Sequence, residues 1–149
     1  MIRELVSAAI GTMAFSLLFG VPKKYYMYCG GIGAAGWLVY KLMLTAAGAS
    51  VAFAVFVATV CIMLFSRYAA VSEKCPATVF MITGIFPLVP GAQIYWATYY
   101  LVTDQLHQAF DSGFLAIKIM ISIVLGIVVV FEIPYKFFKI GKNRGFRKR

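Results

Sequence analysis

The chain has 149 residues, 62% of them hydrophobic and only 13% charged, with a mean hydropathy of +0.88. A soluble domain of this length could not cover so much apolar surface with so few charges, so the composition excludes one and predicts an all-α integral membrane protein. The net charge of +9 invites a nucleic-acid reading, but seven of the fourteen basic residues fall in the last fourteen positions, directly after an apolar run. That is the pattern of a cytoplasmic tail facing anionic lipid headgroups, and nucleic acid is not an expected partner.

A spanning helix needs about 20 apolar residues. In chain order the spans are expected at 5–20, 27–48, 50–70, 77–100 and 114–138, followed by a basic tail at 139–149: one transmembrane domain of five helices. The first is short. It is read as a helix rather than a cleaved signal, because Glu4 dilutes the basic amino terminus and "GVPKKYY" is a poor cleavage site. Four spans result if that segment lies flat in the interface, and six if the fourth is a re-entrant hairpin. With the tail inside, five spans put Lys23, Lys24, Arg67 and Lys74 on the inner side. The amino terminus, "AAGAS" and the segment carrying Asp104, His107 and Asp111 then lie outside, as the positive-inside rule requires. Inner-membrane location follows as the expectation.

The second span contains "CGGIGAAGW", with Gly30, Gly31, Gly33, Ala34 and Gly36. Rows of small residues four apart let helix backbones approach closely. They serve either packing within this chain or a subunit interface. Charges inside spans are rarer. Lys41 and Lys118 lie near helix ends, where they can snorkel. Glu132 either pairs with Lys136 at the interface or carries protons as a coupling carboxylate. Asp104, His107 and Asp111 fit a solvated loop face better than a metal site. The three cysteines show no metal or CxxC spacing, and no nucleophile–base or phosphate-loop motif occurs. No cofactor, metal or enzymatic activity is expected.

The fourth span reads "MITGIFPLVPGAQIYW", from Met81 to Trp96. Each proline removes a donor and clashes with the carbonyl four residues back, at a cost of roughly 3 kcal/mol in a helix interior. Broken backbone at membrane depth is tolerated where protein covers it or water reaches it, and discontinuous helices hold substrate in many transporters. Pro90 suits the first turn of a second half-helix, and Gly91 leaves room for a ligand. Thr83, Pro87, Gly91 and Tyr95 recur every four residues, with Gln93 among them. These six residues, Pro90 included, are the substrate-site candidates. The alternative is a proline kink that only shapes packing.

"CPATVFMITGIFPLVPGAQIY" and "FGVPKKYYMYCGGIGAAGW" resemble the small membrane subunit of the two-component threonine/serine exporter family, over the whole chain. Thr83 stands where many relatives have proline. The resemblance implies a larger membrane subunit as partner, and proton-driven secondary export of small hydroxy amino acids, or of a small dicarboxylate such as succinate. Its motif positions fall on Pro76, Pro87, Pro90, Gly91 and Tyr95. Because the spans carry few ionisable groups, the partner is expected to supply coupling. A scaffold subunit that transports nothing itself is the competing reading.

Overall fold

The computed structural model describes residues 2–134. The basic tail and Lys136, with the expectations attached to them, lie outside the described residues. Within these, the secondary structure is wholly helical: α1 (Ile2–Leu18), α2 (Tyr26–Thr45), α3 (Val51–Glu73), α4 (Thr78–Ile85), α5 (Gly91–Val102) and α6 (Leu106–Phe131), with 3-10 turns at Lys23–Tyr25 and Phe86–Leu88.

Local chemistry sets several boundaries. After α1, Gly20 turns left-handed at φ +65°, the Val21 amide donates back to the Ser16 carbonyl over 3.0 Å, and Pro22 stops the helix. Lys74 (φ 54°) and Asp104 (φ 59°) close α3 and α5 in the same way, with bonds from Cys75 to Ala70 and from Gln105 to Tyr100. The Ser50 hydroxyl caps α3 by accepting from the Phe53 amide over 3.4 Å. The helix resumes at Leu106, eight residues before the apolar run at Phe114, so most of the polar stretch after Thr103 is helical.

The interior is apolar but includes several small hydroxyl residues, and the surface is rich in large apolar side chains. Thr12, Ser16, Thr59 and Thr83 are fully buried, while Phe114, Ile121, Val124 and Leu125 are more than half exposed. Small polar groups inside and large apolar groups outside suit a lipid surround, where helices gain little by hiding leucine from leucine-like tails. Thr12 and Ser16 donate to the Ala8 and Thr12 carbonyls over 2.7 and 2.8 Å, which satisfies their hydroxyls without a partner helix.

α1 packs on α2, α2 on α3, α3 on α6 and α5 on α6, while short α4 lies against α2 and α3. At its centre Phe80 is fully buried, edge-on to Tyr25 at 5.4 Å. The glycines of α2 are used within the chain. A Cβ on Gly30 would collide with Met13, one on Gly33 with the Thr12 hydroxyl, and one on Gly36 with Ile62. Gly31 alone among them faces open space. Of the two uses for this row, Gly30, Gly33 and Gly36 serve intramolecular packing.

Two helices, α3 and α6, are individually long and apolar enough to cross a membrane. The α4–3-10 unit and α5 together meet the same test, bent by 47° at the break. This is a helical membrane protein, with the proline-broken element between the two helices that can each cross a membrane alone.

Candidate functional site

The break itself is more self-sufficient than its sequence suggests. Pro87 cannot donate to the Thr83 carbonyl, but the Phe86 amide does so instead. Pro90 cannot donate to the Phe86 carbonyl, and the Val89 amide takes its place over 3.1 Å. Each proline is thus preceded by a 3-10 bond that serves the carbonyl it would have orphaned. Those two carbonyls therefore need neither water nor a partner protein. What remains open is the start of α5, where helix geometry leaves the Ala92 and Gln93 amides without intrahelical acceptors. Phe15 of α1 stacks on Phe86 and holds α1 against the turn.

Beside the break lies a cavity of about 210 Å³. Trp37 and Tyr40 of α2, the Pro87–Pro90 turn, Gln93 of α5, Val55 of α3 and Ile119 of α6 wall it. This exceeds the room one water needs and falls below the sites of drug-sized ligands. Tyr40 and Gln93 make no hydrogen bond among the described residues, so a phenol and an amide are available in a mainly apolar wall. A second cavity, about 380 Å³, shares Trp37 and Pro87 with the first and is completed by Arg3, Glu4, Ser7 and Ala8 of α1. Trp37 and Pro87 thus line both the chamber beside the break and the charged vestibule.

The six sequence candidates divide. Pro87, Pro90 and Gln93 line the chamber. Thr83 is fully buried, and its hydroxyl donates to the Val79 and Phe80 carbonyls, both at 3.2 Å; it is not among the lining residues. Gly91 meets nothing within 4 Å where its Cβ would stand. Tyr95 is 62% exposed, in an aromatic group with Trp96 and Tyr99. Of the four residues spaced four apart, Pro87 alone is among the lining residues; the helix is bent by 47° between Leu88 and Gly91, so the row does not run along one continuous helix.

Glu132 is exposed at the end of α6, roughly 20 Å along that helix from Ile119 at 1.5 Å per residue. It does not reach the chamber. Nearby, Arg67 is 5% exposed and donates to the Ile133 and Phe131 carbonyls over 2.6 and 3.3 Å. A residue read as an inner-loop charge instead caps the last turn of α6. His107 pairs with Asp111 at 3.2 Å on an exposed helix face, and among the described residues no group of three potential metal ligands converges.

Trp37 and Tyr40 are not among the sequence candidates, and Glu4 is read there only as a charge near the amino terminus. The signal for the two aromatics is "WLVYK", two polar-tipped rings three apart and followed by Lys41. Lys41 does not simply snorkel: its Nζ lies 3.0 Å from the Glu4 carboxylate and 5.8 Å from the Trp37 ring.

Discontinuous membrane helices beside a small site also occur in transporters. The chain belongs to the threonine/serine exporter family: the family described as "Threonine/Serine exporter, ThrE" matches residues 4–133. An uncharacterized protein of Haemophilus influenzae is 28% identical over 136 residues, which cover 87% of this chain and 44% of that protein. The chain thus spans less than half the length of this relative. No solved structure matches.

Proposed function

We propose that this chain is the small subunit of a two-component secondary transporter that exports small hydroxy amino acids, threonine and serine, across the inner membrane. The observation that carries the reading is the chamber at the Pro87–Pro90 break, with Tyr40, Gln93 and the first amides of α5 at its wall. Its scale suits a small amino acid. The α5 amino terminus offers partial positive charge to a carboxylate, while the phenol and the amide suit a hydroxyl.

In this reading α1, α2, α3, the broken α4–α5 unit and α6 make five passes, with the amino terminus outside and the basic tail inside against anionic headgroups. A larger membrane subunit of the same family completes the transport path. The relative in which the matching stretch is 44% of the chain supports a two-part unit. Proton drive is part of the proposal. Because Glu132 stands far from the chamber, the larger subunit is the better source of the coupling group.

One observation favours a contribution from the scaffold reading. Neither Gly91 nor Tyr95 is among the residues that line the chamber, and Tyr95 is 62% exposed, so part of α5 is available to a partner. Counterflow of labelled threonine, serine and succinate into proteoliposomes tests the proposal. The chain is purified from its native membrane with and without its accompanying larger subunit. Threonine and serine counterflow only with both subunits is expected. Full transport by this chain alone would defeat the two-component reading, and succinate transport without threonine would replace the substrate.

A further inference from the structure

The vestibule carries charges of both signs, and its proposed role rests on the exporter reading above. Glu4 opens α1 and Lys41 lies in the last turns of α2, their charged atoms 3.0 Å apart with side chains 43% and 30% exposed. Glu4 also lines the vestibule beside Arg3 and Trp37, and Trp37 lines the chamber as well. The Trp37 indole nitrogen is sheltered from solvent and points its N–H toward the Glu4 carboxylate without a hydrogen bond of good geometry, so a better-placed oxygen would be a gain there.

Where water fills the vestibule, an ion pair of this kind contributes little to stability, so a ligand can open it. Its two charges complement the head of a free amino acid, which carries an ammonium and a carboxylate one carbon apart. A zwitterion can replace the internal pair with two new ones and leave no charge unpaired. A dicarboxylate does not do the same: its carboxylates can pair with Lys41 and Arg3, but Glu4 is then left without a cation beside two like charges, and like-charge juxtaposition is how a site rejects the wrong ligand.

We infer that Glu4 and Lys41 are the charge-recognition pair of the substrate path, Glu4 taking the ammonium and Lys41 the carboxylate of a zwitterionic amino acid, with Arg3 beside them. The pair selects amino acids over dicarboxylates before the chamber reads the side chain.

The test is counterflow by the chain purified with its accompanying subunit. Glu4→Gln should lower threonine counterflow by roughly tenfold or more, the scale of one charge-assisted contact, and lower the threonine-to-succinate ratio with it. The exchanged double variant, Glu4→Lys with Lys41→Glu, rebuilds the ion pair but reverses the order of charges that an L-amino acid meets. It should assemble normally and still transport threonine poorly. Wild-type transport by the double variant would show the pair to be a mere latch between α1 and α2 and overturn the inference.

A second measurement needs no variant. N-acetylthreonine and threonine methyl ester each lack one of the two charges, and neither should compete with labelled threonine. Competition by either as strong as that of unlabelled threonine overturns the inference, while wild-type threonine counterflow keeps the exporter reading intact. Absence of threonine and serine counterflow in the wild type would instead count against the exporter reading itself.

Discussion

Gly33 of α2 lies so close to Thr12 of α1 that a Cβ on the glycine would overlap the threonine hydroxyl. Thr12 is fully buried and holds its hydroxyl on the Ala8 carbonyl, so it has no room to swing aside. Gly33→Val should therefore destabilise the bundle by about 1–3 kcal/mol, the usual cost of overpacking. Thr12→Ala in the same chain should recover part of the loss. Thermal unfolding in detergent reads both. Gly31→Val is the control, because its Cβ enters open space; an equal loss there would contradict the assignment of the two glycine faces.

Arg67 joins α3 to the end of α6 through two carbonyls and lies 5.1 Å from the Phe131 ring. Hydrogen bonds from a charged donor contribute about 1.5–3 kcal/mol each, and a helix end is where a cation is favoured. Arg67→Met should lower the unfolding midpoint and raise amide exchange in the last turn of α6. Arg67→Lys should recover little, since an ammonium cannot span two carbonyls as a planar fork does. An unchanged midpoint in both variants would remove Arg67 from the architecture.

Gly91→Leu probes the start of α5. A Cβ at this position has open space around it, so folding of the subunit should be little affected. If this part of α5 docks the larger subunit, the variant should lose co-purification with it and transport should fall in parallel. Full co-purification with wild-type transport would mean that neither partner nor substrate approaches this glycine.

Tyr40→Phe and Gln93→Leu probe the chamber side. Each removes a polar tip that makes no hydrogen bond among the described residues, so neither should weaken the fold. Each should raise the half-saturation concentration for threonine by roughly fivefold to tenfold, the equivalent of about 1 kcal/mol for one hydrogen bond. The Tyr40→Phe variant should lose less for alanine, which has no side-chain hydroxyl, than for threonine. Equal losses for both would place the phenol on the substrate backbone instead.

The broken helix, its place in the chain and its proline turn were legible in "GIFPLVPGAQIY", because a proline's missing donor and fixed φ act locally, whatever packs nearby. Pro87 and Pro90 of the turn and Gln93 in the first turn of α5 line one cavity, because they are close in sequence on either side of the break. Thr83, Gly91 and Tyr95 were placed by assuming one continuous helical face. A bend of 47° interrupts that face, and no pattern of residue types encodes that angle.

Composition and hydropathy were sufficient for the class of protein, since transfer of apolar side chains into lipid adds residue by residue and needs no tertiary context. Which glycines pack within the chain, that Lys41 meets Glu4 thirty-seven positions away, and that Trp37 and Pro87 line two cavities at once are different in kind. Those contacts depend on helix rotation and crossing, which are set by mutual packing of whole faces and therefore exist only once the bundle has assembled.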